Sequence, residues 1–108
     1  MRKIESEMNA AIKSKINFSK ANTSVSYDAD NNESNVYLHG NHIASLDTAT
    51  NALTIKDGGW QSVTTKSRLN ALLDEFSKGT GVIQRNFEWF LTYKHLKEDF
   101  VNGMEVAL

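Results

Sequence analysis

The stretch that most constrains this chain is Gly58-Gly59-Trp60-Gln61-Ser62-Val63-Thr64-Thr65-Lys66-Ser67-Arg68-Leu69-Asn70, running on to Phe76. Leu69, Leu72, Leu73 and Phe76 recur at i, i+3, i+4 and i+7, which is one face of a 3.6-residue period. Asn70, Asp74 and Lys78 fall off that face. The spacing predicts a helix over residues 65–78. Thr64 or Thr65 is its expected N-cap, because a hydroxyl oxygen can accept from a backbone N–H left free in the first turn. Gly79 is the expected stop, and Lys78 suits the negative end of the helix dipole. Trp60 precedes the cap and is expected to pack under the first turn.

A helix with one apolar face needs a floor, and the flanking segments read as strands. Thr23–Tyr27, Asn35–His39, His42–Leu46 and Ala52–Lys56 alternate or carry β-formers, within residues 23–56. Gly40-Asn41 reads as a two-residue turn or a bulge. Val82–Leu91 reads as one long strand, with Ile83, Arg85, Phe87, Trp89 and Leu91 on the face toward the helix. Arg85 in that row implies a sheet edge or a carboxylate partner. Residues 92–99 are polar; a turn through Lys94–Asp99 and a short last strand near Phe100–Val106 complete residues 82–106, with Asn102-Gly103 a turn signal. Residues 1–16 form a second helix, with Ile4, Met8, Ala11, Ile12 and Ile16 as its stripe. Turns about every ten residues imply an antiparallel meander. The expected fold is α+β: an antiparallel sheet of about five strands, the central helix across one face, and an N-terminal helix beside it. The 108 residues suffice for one domain and are too few for two.

Composition excludes several function classes. Lys and Arg total 12 against 13 Asp and Glu, a formal net charge of −1, which argues against a broadly basic nucleic-acid binder. No cysteine is present, so no disulfide, zinc thiolate or redox thiol is available. No apolar run has membrane length, and the glutamates of residues 1–16 argue against a membrane-surface helix. Proline is absent too, so turns must come from Gly, Asn and Asp.

The candidate binding residues are Thr64, Thr65, Lys66, Ser67, Arg68 and Asn70. Hydroxyls, cations and helix-start N–H groups converge there, as an anion or phosphate seat requires, although capping alone explains most of the same choices. The G-x-x-x-x-G-K-[ST] pattern of a nucleotide-binding loop is missing. Asp28-Ala29-Asp30-Asn31-Asn32-Glu33 lacks the glycine and terminal glutamate of a calcium loop and reads as a hairpin connection. His39 and His42 have no third ligand nearby in sequence, so no metal and no cofactor are expected. A hydrolase built on His39 or His42, Asp47 and Ser67 would match no local catalytic signature.

Three blocks carry a resemblance. They are Tyr37-Leu38-His39-Gly40-Asn41-His42-Ile43-Ala44, then Gly59-Trp60 through Ser62, Thr64-Thr65-Lys66-Ser67-Arg68-Leu69-Asn70 and Ala71-Leu72-Leu73, then Gln84, Asn86-Phe87 and Trp89-Phe90. With the closing Asn102-Gly103-Met104 they resemble a family of small proteins of tailed bacteriophages, especially short-tailed lytic ones, over most of residues 4–106. Ser62 stands where threonine is expected. The resemblance implies a phage accessory protein expressed in the host bacterial cytoplasm, and it assigns no catalytic or binding residue.

Three functions follow as expectations. The first is a non-enzymatic protein that binds and inhibits or redirects a host protein, in takeover or anti-defence. Its contact would be the helix start with Lys66 and Arg68, or the acidic loop Asp28–Glu33 imitating phosphate. The second is a nucleic-acid module, with Thr64–Asn70 at phosphates and Trp89 or Tyr93 stacking. The third is the hydrolase. Edge strands rich in Asn and Ser leave monomer and homodimer both open.

Overall fold

The computed structural model describes residues 1–107. Helix α1 (Lys3–Ser14) leads into strands β1 (Phe18–Lys20), β2 (Thr23–Asp28), β3 (Glu33–Leu38), β4 (Asn41–Asp47) and β5 (Ala52–Ile55). Helix α2 (Val63–Phe76) follows, then β6 (Thr80–Arg85), β7 (Glu88–Tyr93), β8 (Leu96–Asp99) and β9 (Met104–Ala107). The α+β class and both helices stand. The strands form two antiparallel sheets, of order β1-β2-β3-β4-β5-β9 and β6-β7-β8, where a single sheet of about five was expected.

One core joins both sheets to both helices. Met8 and Ile12 of α1 meet Leu69, Leu72 and Leu73 of α2 over Val25, Val36, Ile43, Leu53 and Ile55 of the large sheet. Val82, Trp89 and Leu91 bring the small sheet into the same cluster. Asn70 fixes that attachment: its Nδ2 donates to the Val82 carbonyl at 3.0 Å and its Oδ1 accepts the Val82 N–H at 2.7 Å.

Several local expectations are corrected. The N-cap of α2 is Ser62, whose Oγ accepts the Thr65 N–H at 3.0 Å; the helix therefore starts two residues earlier than predicted and ends at Phe76. Trp60 does not pack under the first turn. The residue buried there is Thr65, and Trp60 is 74% exposed. Helix α1 stops at Ser14 because Lys15 turns left-handed at φ 56°, which throws Ile16 into solvent.

The long strand over residues 82–91 is broken into a hairpin. Asn86 and Phe87 have φ of 53° and 66°, and Arg85 pairs with Glu88 around them. Positive φ at both central residues is the signature of a type I′ hairpin turn. Consequently Phe87 leaves the core row. Within the predicted turn at residues 94–99 only Lys94 and His95 turn, and Leu96–Asp99 is a strand. The turn before β4 is His39-Gly40, both at positive φ, rather than Gly40-Asn41. An irregularity does occur nearby, as a register shift between Val36 and Tyr37. Strand β1 lies in a segment that carries no strand signal. Gly58 at φ 70° is a required glycine, since a Cβ there would meet Ile43 and Asn41 at 3.1 and 3.2 Å.

Candidate partner-binding surface

The six residues of the helix start are divided by the fold. Arg68 is 3% exposed and points inward. Its Nη1 meets the Glu5 Oε2 at 2.8 Å, its Nε donates to Thr23 Oγ1 at 2.9 Å, and its Nη2 reaches Asn22 at 3.3 Å. Ser67 donates to the same Glu5 oxygen at 2.6 Å. Burial pushes the Glu5 carboxyl up. The hydrogen bonds from Ser67, Arg68 and the Arg2 N–H, with the Arg68 charge, outweigh this and leave its pKa below the ordinary 4.5. Thr65 is buried against Ser62, and Asn70 is held by Val82. Thr64 and Lys66 are half-buried and make no side-chain bond among the described residues. The cationic tip thus retains Lys66, while Arg68 is an internal strut.

The other candidates are also accounted for locally. Asp47 accepts the N–H groups of Ala49 and Thr50, and Asp28 those of Asp30 and Asn31, each closing its own turn. His39 lies in a turn. His42 meets Ser45, not Ser67: its Nε2 is 2.7 Å from Ser45 Oγ, which donates onward to Asn35. Lys56 Nζ approaches His42 Nδ1 at 3.4 Å. With the serine proton given to Asn35, the imidazole faces Ser45 as a donor, which is the wrong polarity for a base activating a nucleophile. Among the described residues no group of three His, Cys, Asp or Glu is placed to hold a metal.

What sequence reasoning missed is an apolar pole. Trp60, Val63, Phe87 and Val101 are 74%, 71%, 92% and 59% exposed. Trp60 precedes α2, Val63 begins it, Phe87 lies in the β6–β7 turn and Val101 follows β8. Asp57 is the hub: its N–H donates to Asn102 Oδ1 at 2.8 Å, its Oδ1 accepts the Gly59 N–H at 2.7 Å, and its Oδ2 faces Gln61 at 3.4 Å. Gln61 and Phe87 then share an open hollow of about 310 Å³ with Glu88, Trp89, Asp99 and Phe100. Trp89 and Phe100 are stacked edge to face at 5.3 Å in its wall. Scattered single apolar residues on a surface need no explanation, but here Phe87 and Gln61, the sequence neighbour of Trp60, line one hollow. Asn86 gave half of a turn signal, but Phe87 stands where a hairpin turn would favour glycine and so masked it.

A model of the Kyanoviridae Gp96 protein family matches residues 1–107. The chain belongs to that family. The expectation of a bacteriophage protein family therefore stands. No curated protein and no solved structure matches it. Among the described residues, no helix is long and apolar enough to cross a membrane.

Proposed function

We propose that this phage protein works inside the host bacterium by binding a host protein through its apolar pole, and that it inhibits or redirects that protein without catalysing a reaction. The single observation that carries the reading is Phe87. It is held in the left-handed region at φ 66° and left 92% exposed. A bulky L-residue there costs about 1–2 kcal/mol, and glycine would remove the cost. A strained, solvent-facing aromatic that shares a hollow with Gln61, the sequence neighbour of the exposed Trp60, has the composition of an interface hot spot. The nucleic-acid alternative loses its second cation, because Arg68 is inside the molecule.

Affinity capture from phage-infected cells tests the proposal, using wild type and the Phe87→Ser/Trp60→Ser variant, with nuclease added. The expected result is one host protein retained by wild type after nuclease and lost by the variant. Equal capture by the variant, or a partner released by nuclease, would overturn the reading.

A further inference from the structure

We infer that Asn102 is a self-modification site: its side-chain amide is lost to attack by the Gly103 nitrogen, and the fold restrains this reaction with a hydrogen bond that also ties two segments of the apolar pole. The reaction and its restraint stand on their own; the effect on partner binding rests on the pole reading.

The chemistry follows from the sequence. Asn102-Gly103 is the one Asn-Gly pair in the chain. Glycine has no Cβ to hinder approach of its backbone nitrogen to the asparagine Cγ. A bond forms between the Gly103 nitrogen and the Asn102 Cγ. The Cγ–Nδ2 bond breaks, and the Gly103 amide proton leaves with that nitrogen as ammonia. The product is a five-membered cyclic imide. Water opens either of its carbonyls, giving aspartate or the isomer whose backbone runs through the side-chain carbons. Each product adds one negative charge. Asn102 and Gly103 are both exposed, so solvent reaches them.

The restraint follows from the turn. The Asp57 N–H donates to Asn102 Oδ1 at 2.8 Å, and the Gly103 N–H donates to the Ile55 carbonyl at 2.8 Å. The Met104 N–H closes the turn on the Val101 carbonyl at 3.0 Å. Gly103, at φ 82°, takes the third place of that turn, where a type II turn requires positive φ. Ring closure needs the Gly103 nitrogen without its proton and the Asn102 Cγ swung toward it. The Ile55 bond opposes the first and the Asp57 bond opposes the second, so the turn must open before the reaction runs. The Asp57–Asn102 bond also joins the segment that leads to Trp60 to the one that carries Val101. Reaction leaves a new carboxylate beside Asp57, whose own carboxylate is already held at the Gly59 N–H. The isomer, with one more backbone atom, no longer fits the four-residue turn.

The test needs no identified partner. The intact protein is kept at mildly alkaline pH, folded and in urea, and peptide mapping follows amide loss at each asparagine. In urea Asn102 should convert before every other asparagine. In the folded protein it should convert at least about tenfold more slowly, and amide exchange at Gly103 should be retarded by a factor of the same order. Another asparagine converting first in urea, equal rates in the two states, or an unprotected Gly103 amide would overturn the inference. Asn102→Asp supplies the charged product directly. Its Trp60 indole resonance should move from the wild-type position, and an unmoved resonance would remove the link to the pole. Host capture separates the two readings. If Asn102→Asp captures the host protein as wild type does while the Phe87→Ser/Trp60→Ser variant fails, the pole stands and its control by Asn102 falls. If wild type captures nothing but Asn102 converts as stated, the pole falls and the modification site stands.

Discussion

At residue scale, two side chains hold conformations or charges that can be tested alone. Phe87→Gly places the favoured residue at a left-handed turn position, so it should raise stability by about 1 kcal/mol while removing host-protein binding. Thermal melts and the capture experiment together check this; a destabilised Phe87→Gly protein would mean that the ring supports the fold instead. His42 is the second. Burial and then the Lys56 charge hold its pKa below the ordinary 6.5. A depressed histidine contributes stability that is complete above pH 6.5 and is lost as pH falls through its folded value. Stability should therefore decline on acidification from pH 7, and Lys56→Met should move the His42 titration upward. An NMR titration of the His42 ring reads the shift, and an unmoved midpoint in Lys56→Met would remove Lys56 from the account.

At element scale, the helices are tied to each other and to β2 by one buried ion pair. Glu5 on α1 and Arg68 on α2 are each 3% exposed; Ser67 donates to Glu5, and Thr23 accepts from Arg68. Removing one partner leaves an uncompensated buried charge, so Arg68→Met should cost about 3–5 kcal/mol. Glu5→Leu/Arg68→Met should recover much of that, because a buried pair replaced by apolar groups is often neutral. Denaturant unfolding of the three proteins checks it; an additive double variant would show that the pair is not coupled. These elements also show what was legible in the chain. The Leu69, Leu72, Leu73 face was readable because three buried leucines at helical spacing have no competing explanation. Glu5 and Arg68 were not, because a charged residue beside an apolar stripe reads as solvated until the partner from the other helix is known. The hairpin at Asn86-Phe87 was hidden for a related reason: an alternating apolar row is the strand signal, and a phenylalanine in the left-handed region gives no turn signal. Exposure of Phe87 and burial of Arg68 are both tertiary outcomes, so neither could be read from the chain.

At the scale of the whole molecule, the two sheets differ in how firmly they are held. Strands β3 and β4 are paired on both sides, and Val36, Ile43 and Ala44 are each 1% exposed. Strand β8 is paired only to β7, and all four of its residues are exposed. Local opening of β8 breaks one ladder and uncovers no buried side chain of its own, so its free energy must lie far below that of global unfolding. The hollow's Asp99 and Phe100 stand at the end of that strand and just beyond it, whereas Trp89 is anchored in the core. Native-state hydrogen exchange should therefore rank the amides of Leu96–Asp99 fastest among the strands of the small sheet, and Val36 and Ala44 among the slowest in the molecule. A partner bound over Phe87 and the hollow it lines should immobilise this edge, so exchange at Lys97–Phe100 should slow in the complex while β1, whose Phe18–Lys20 pairs only with β2 in the large sheet, stays as in the free protein. Exchange of β8 as slow as that of β3 in the free protein would show that the small sheet is locked in one unit with the large one, and the pole would then be a rigid surface along its whole length.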